Sequence, residues 1–274
     1  MTLPSLFISH GSPTFALDPG RLGPQLTALG QRLPVPRAVL VVSPHWRSRT
    51  LTVTRAAQPE TIHDFGGFPD ALYALDYPAP GAPAVADEVI EVLAGSGLSA
   101  IADDTRGRDH GAWVPMMHLF PAAQVPVIQL AQPCAPSPLT LLELGQALAP
   151  LRDRGVLIVG SGSLTHNLPD MRNADDAHDY PRRFADWVAA HLAAGDLEAL
   201  LDYRAASPDA LRAHPTDEHF LPLFFAIGAA GCAWTQVQRI DGGIDKAALS
   251  MDSFVFGGDI RLAPHEDVAS ATGA

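Results

Sequence analysis

The sequence predicts a single α/β domain on a mostly parallel central sheet with helices on both faces. Short apolar runs such as residues 38–43 (Ala-Val-Leu-Val-Val-Ser) and 156–159 stop at turn residues, as strands buried on both faces do. Between such runs, leucines and valines recur every three or four residues, the spacing of one helical face. Strand, helix and strand follow one another within about 40 residues at the start, the βαβ unit of a parallel sheet.

Residues 6–9 (Leu-Phe-Ile-Ser) form the first predicted strand and run into His10-Gly11-Ser12-Pro13, which must turn. Leu22, Leu26, Leu29 and Leu33 line a helix over 22–33, and the second strand, 38–43, stops at Pro44-His45-Trp46. Val85, Val89, Val92 and Leu93 define a helix over 84–93; a strand over 125–130 and a helix over 139–151 follow. Gly155 precedes a strand over 156–159, and 160–166 (Gly-Ser-Gly-Ser-Leu-Thr-His) reads as a tight, flexible turn that aims His166. Pro181 opens a helix carrying Phe184, Trp187, Val188, His191 and Leu192, since proline is tolerated in a first turn, and Gly195 closes it. A helix over 197–205, an apolar helix over 219–230 and strands at 233–240 and 253–256 complete the pattern. No repeat or composition shift divides the chain, so residues 1–261 read as one domain and 262–274 as a loose polar tail.

Of the 274 residues, 47% are hydrophobic and 18% charged, which excludes a disordered chain and supplies a sizeable core. A formal charge of −12, with no basic group denser than Arg47, Arg49 and Arg55, argues against a nucleic-acid partner. Cys134 and Cys232 are too few for a disulfide framework or a four-cysteine zinc site; they read as small core residues in a reducing compartment. The first residues lack the basic-then-apolar order of a secretion signal, and the longest apolar run, 220–234, contains Pro222 and is too short to span a bilayer. The expectation is a soluble, cytoplasmic protein with no membrane partner; oligomeric state is not readable from the sequence.

Eleven histidines stand out in a chain with so little charge. His10, His45 and His166 each follow a predicted strand, and ligands of open parallel sheets bind beyond the strands' carboxyl ends. If the strands are parallel, all three emerge on one edge. Imidazole is both the commonest metal ligand and the side chain that titrates nearest neutral pH, so a metal site and an acid–base site are both open. His219 is a fourth candidate at the start of an apolar helix, beside Asp217 and Glu218. His63 and His110 are loop histidines, each beside an aspartate in sequence, a pairing that can fix a tautomer. His118, His178, His191, His214 and His265 read as structural or solvent-facing. The His-Glu-x-x-His, Gly-x-Ser-x-Gly, Gly-x-Gly-x-x-Gly and phosphate-loop patterns are absent.

Six blocks occur in order: Ser9-His10-Gly11-Ser12-Pro13, Ser43-Pro44-His45-Trp46, 61–69 (Thr-Ile-His-Asp-Phe-Gly-Gly-Phe-Pro), Asp109-His110-Gly111-Ala112-Trp113, 160–167 and Ser250-Met251-Asp252-Ser253-Phe254. Together, from residue 9 to about 258, they closely resemble the class III extradiol dioxygenases, in the aromatic ring-opening branch of the DOPA 4,5-dioxygenase type. The resemblance implies a catalytic domain over 1–261 with one mononuclear non-haem divalent metal. His10 and His45 match the first two ligands, His219 the third and His166 the acid–base catalyst. The wider family uses a glutamate as third ligand; this chain resembles the three-histidine branch, with Glu218 adjacent. His110 is the candidate for a secondary substrate or proton contact, and Arg47 or Arg172 for a substrate carboxylate. The implied partners are a small DOPA-like aromatic diol and O2, with Fe(II) needed for turnover and Zn(II) able to occupy the same site. A zinc-dependent hydrolase and a non-catalytic metal-binding protein on the same scaffold are the alternatives.

Overall fold

A computed structural model describes residues 1–172 and 179–258. His178, His265 and the expected tail at 262–274 lie outside the described residues. The strands are β1 (Ser5–Ser9), β2 (Ala38–Ser48), β3 (Leu51–Thr54), β4 (Ala100–Asp103), β5 (Val127–Pro133), β6 (Val156–Gly162), β7 (Val237–Ile240), β8 (Ile244–Asp245), β9 (Leu249–Ser250) and β10 (Ser253–Phe256). Eight of them make one sheet in the order β4-β3-β5-β2-β6-β1-β10-β7, and β8 and β9 form a small hairpin. The centre, β5-β2-β6-β1, is parallel throughout, while β10 and β7 add antiparallel strands on one flank.

The strands that read as continuous apolar runs are those buried on both faces. Along β2, Leu40 and Val42 join one core while Val39 and Val41 join the other; along β6, Ile158 and Leu157 divide in the same way. Helices α1 (Leu22–Arg32), α2 (Asp70–Tyr73), α3 (Pro83–Gly95), α4 (His110–Leu119), α5 (Pro138–Leu148), α6 (Leu168–Arg172), α7 (Tyr180–Ala194), α8 (Leu197–Leu201), α9 (Tyr203–Ala206), α10 (Ala210–Ala213) and α11 (Pro222–Ala230) accompany them. Leucines of α1 and Trp113, Met116 and Leu119 of α4 fill one face; α3, α5, α7 and α11 fill the other. Among the described residues, no helix is long and apolar enough to cross a membrane.

Several boundaries differ from expectation for identifiable reasons. The 197–205 helix breaks at Asp202 into α8 and α9, and residues Gly231–Thr235 coil as a 3-10 helix, so the strand predicted from 233 starts at Val237. Strands β3 and β4 are not unbroken apolar runs: Leu51-Thr52-Val53-Thr54 alternates, and Ala100–Asp103 lies at the sheet's edge. Cys134 and Cys232 are exposed, not core residues: one follows the end of β5 and the other sits in the 3-10 turn after α11.

The loop that carries His166 is clamped by His214 and by the backbone of Ala213. The buried His214 imidazole donates from Nε2 to the Leu164 carbonyl at 2.9 Å, and the His166 amide donates to Ala213 O at 2.8 Å. Burial drives the His214 pKa down to about 3, so it holds the loop as a neutral ring against Phe220 and Phe184.

Candidate functional site

The parallel centre of the sheet brings His10 and His45 to one edge, with His166 four residues beyond β6. His10 directly follows β1. His45 lies inside β2, which runs on to Ser48 instead of ending at residue 43; the pairing with β5 is interrupted between Ser43 and Arg47. Such an irregularity re-aims side chains at the end of a strand, and here it turns His45 toward His10. His219 sits in the turn just before α11.

Residues 160–162 are the last part of β6 and not a flexible turn. Their glycines act by lacking a side chain. A Cβ on Gly160 would lie 2.0 Å from Pro222 O, and one on Gly162 would lie 2.2 Å from His219 O. The turn bearing His219 therefore rests directly on the strand, where the Ser163 amide donates to the His219 carbonyl at 2.8 Å. Gly162→Ala is expected to push His219 out of place and destabilise the fold by about 1–3 kcal/mol. A lowered denaturation midpoint together with weaker metal binding checks this; unchanged metal affinity contradicts it.

The donor set has a defined arrangement. Ring centroids of His10, His45 and His219 form a near-equilateral triangle, 5.1, 5.0 and 5.6 Å on its sides. His110 lies against His45 at 3.9 Å, and His166 stacks on His219 at 3.6 Å with an 8° interplanar angle. By ligand-atom spacing alone, His10, His45 and His110 form one group within 4.8 Å, and His166, Glu218 and His219 form another. The expected triad of His10, His45 and His219 thus spans the two groups, and the compact one substitutes His110.

Tautomers follow from what lies behind each ring. Ser161 Oγ donates to the Gly111 carbonyl, so it can only accept from His10 Nδ1–H at 2.9 Å, leaving His10 Nε2 bare. His45 Nδ1 faces the Asp64 carboxylate at 3.6 Å, a position that favours a proton there and bares its Nε2. The two Nε2 atoms are 3.1 Å apart. Burial, then the neighbouring imidazoles, push His10 well below its ordinary pKa; burial, then His110, bring His45 to about 3 against the pull of Asp64. Two neutral lone pairs face to face repel, and at metal–nitrogen distances of about 2.1 Å two ligands of one ion stand roughly 3.0–3.4 Å apart. The donor set therefore fits a divalent metal. His219 Nδ1 donates to Glu218 Oε1 at 3.2 Å, which likewise leaves Nε2 free, and burial holds its pKa far down. Glu218 serves here as an acceptor behind a histidine.

The aspartates do not pair with the histidines beside them in sequence. His110 Nδ1 donates to Asp64 Oδ2 at 2.9 Å and its amide to Oδ1 at 2.8 Å. Burial raises the Asp64 carboxyl, but the hydrogen bonds and charge of His110 outweigh it and bring it to about 2. His63 turns away and donates to Leu75 O at 3.0 Å. Asp109 is buried at the N-terminus of α4, where Ser43 Oγ and Gln129 Nε2 donate to it at 2.9 and 2.8 Å, tying α4 to β2 and β5. His110 is accordingly the first residue of α4, not part of a long loop. The pairings of Asp64 with His110 and of Ser161 with His10, which orient the rings, leave no local signal in the sequence because the partners are 46 and 151 residues apart.

A cavity of about 210 Å³ opens onto His45, His110, His166 and His219, with Phe65 and Leu249 among its walls. Arg47 and Arg172 are exposed and do not line it. Ser12 does.

Comparison with known proteins follows the same lines. Residues 6–244 match the family model described as the catalytic LigB subunit of aromatic ring-opening dioxygenase. The chain is 39% identical over 259 residues to a 4,5-DOPA dioxygenase extradiol of Beta vulgaris, covering 92% of this chain and 96% of that one. It is 38% identical to a protein of the same name from Escherichia coli K12, covering 93% and 95%. The crystal structure of an uncharacterized protein from Escherichia coli K12 superposes with a TM-score of 0.76 at 31% identity, covering 93% of this chain and all, 100%, of that one. The chain belongs to the LigB family, the catalytic subunits of aromatic ring-opening dioxygenases.

Proposed function

We propose that the chain opens the ring of a DOPA-like catechol next to its diol, using O2 and one divalent metal ion held by His10, His45 and His219. His166 is the acid–base residue and His110 a second contact to the substrate. The near-equilateral triangle of the three rings favours these ligands over the compact His10, His45 and His110 group. The observation that carries the reading is how His166 differs from its neighbours. The other four imidazoles each have Nδ1 turned toward a serine or carboxylate behind them; among the described residues the His166 ring has no hydrogen-bond partner. It stacks on His219, with both nitrogens free of hydrogen bonds among the described residues and able to exchange a proton with a bound molecule.

Iron bound at the three histidines would supply the electron transfer between diol and oxygen that zinc, without redox chemistry, lacks. The protein's own part is positioning and proton transfer. The cavity's apolar walls accept a planar ring. Burial, opposed by Glu218, lowers the His166 pKa, so at neutral pH it is an unprotonated base that takes a ring hydroxyl proton and returns it as the ring opens. Asp64 fixes His110 with Nε2 turned away from its anchor. The names of the Beta vulgaris and Escherichia coli relatives support a DOPA-like substrate. The exposed thiols of Cys134 and Cys232 suit a reducing compartment, in support of a cytoplasmic enzyme.

Oxygen uptake tests the reading directly. Protein loaded anaerobically with Fe(II) is expected to consume one O2 per catechol and form a yellow ring-opened product, while zinc-loaded protein consumes none. Oxygen-independent hydrolysis by the zinc form would instead identify a hydrolase, and tight metal binding without turnover on any catechol a binding protein.

A further inference from the structure

Lys246 is the chain's only lysine, and it occupies an unusual place. It sits in the turn between β8 and β9, where φ is 46° at Lys246 and 58° at Ala247. Two successive residues bearing Cβ atoms in the left-handed region are unfavourable, and such turns usually recruit glycine or asparagine. Departures of this kind persist where the surroundings over-determine them, often at binding sites.

The strained turn delivers the ammonium to two hydroxyls. Lys246 Nζ is 2.7 Å from Ser12 Oγ and 2.7 Å from Thr14 Oγ1, which are 2.9 Å from each other. Ser12 lies two residues after His10 and shares the 210 Å³ cavity with His45, His110, His166 and His219. The lysine offers three N–H groups and each hydroxyl one O–H. Two N–H bonds go to the hydroxyls, and one hydroxyl donates to the other. One N–H and one O–H then have no acceptor among the described residues. None of the described carboxylates lies within ion-pair distance of the ammonium, although Lys246 is half-buried. Ser12 is the member of this unit that lines the cavity, and through it spare donors and the ammonium come next to otherwise apolar walls, an arrangement that suits a small anion; Asp245, beside Lys246 in the chain, offsets part of the charge.

We propose that Lys246, with the Ser12 and Thr14 hydroxyls, receives a carboxylate carried on the ring substituent of the substrate. This rests on the ring-cleavage reading for the diol, but not for the anion contact itself. A single cation flanked by two hydroxyls, in a cavity this size, matches a carboxylate better than a doubly charged phosphate.

The test compares 3-(3,4-dihydroxyphenyl)propanoate with 4-ethylcatechol, a neutral analogue, on iron-loaded wild type, Lys246→Met and Lys246→Arg. Lys246→Met is expected to raise KM at least tenfold for the carboxylate substrate with little change in kcat, and to leave 4-ethylcatechol within twofold. Lys246→Arg should recover most of the difference. Equal effects on both substrates, or none on either, would overturn the proposal. Calorimetric binding of 3-phenylpropanoate, which has no diol, to wild type and Lys246→Met without metal reads the anion contact independently of ring cleavage. A Kd at least tenfold weaker in the variant supports the contact even if no catechol is cleaved, in which case only the ring-cleavage reading falls. Unchanged binding, or none to wild type, removes the contact. Lys246→Gln takes the place of Lys246→Met if the latter does not fold.

Discussion

His219→Ala protein, reconstituted with Fe(II) and dialysed, is expected to lose its metal and its oxygen uptake together, whereas His110→Ala keeps close to a full equivalent of metal. The contrast matters because both rings crowd the same place. His110 joins His10 and His45 in the tighter group of donor atoms, but it does so by lying 3.9 Å from His45, where one ring packs on the other. His219 stands 5.0 and 5.6 Å from His45 and His10, matching the 5.1 Å between those two, as three rings arrayed about a common centre would. Its backbone is pinned as well, through Ser163 and the bare strand at Gly162. Loss of a hydrogen bond behind a metal ligand costs about 10–100-fold in metal affinity, and loss of the ligand itself must exceed that. Metal content after dialysis and initial rates in an oxygen electrode decide the matter. Should His110→Ala lose the metal while His219→Ala retains it, the ion belongs to His10, His45 and His110, and His219 serves only as the platform for His166.

The layout of the fold is legible in the sequence wherever burial is uniform. Strands such as β2 and β6 have neighbours on both sides and helices on both faces, so every residue from Val39 to Val42 is apolar and the run announces itself. Placing His10, His45 and His166 needs only the ends of those runs and the rule that parallel strands finish on one edge. What stays hidden depends on partners remote in the chain. His110 borrows Asp64 from 46 residues away instead of using the adjacent Asp109, and His10 is oriented by Ser161, 151 residues away. Gly160 and Gly162 look like a loop because glycine is common in turns; the reason for them is the carbonyls of Pro222 and His219 pressed against the strand. Lys246 gives no signal as a single basic residue, since its role depends on the hairpin that carries it back over Ser12.

His166→Ala should show the opposite split from His219→Ala: metal retained, turnover reduced by about 10²–10⁴-fold, the usual contribution of a positioned acid–base group. The ring makes no hydrogen bond among the described residues and touches the site chiefly through its stack on His219, so its removal leaves His10, His45 and the Glu218 anchor of His219 in place. The pH dependence carries a sign that separates catalysis from mere packing. A base must be neutral to accept a proton, and burial lowers the pKa of His166 below its ordinary 6.5 despite the opposing charge of Glu218. The rate kcat/KM should therefore hold steady as pH falls to 6.5 and decline only below it, as the ring becomes protonated. In His166→Gln, which keeps a planar polar group but cannot titrate, the rate should be low throughout and that decline absent. A residue that only packs against His219 would instead shift metal affinity and leave the shape of the profile unchanged, so a His166→Gln enzyme with full metal, near-normal rate and the same acid limb would assign the proton transfer elsewhere. Its nearest alternative is His110, whose Nδ1 is already committed to Asp64 and which therefore has only Nε2 to offer.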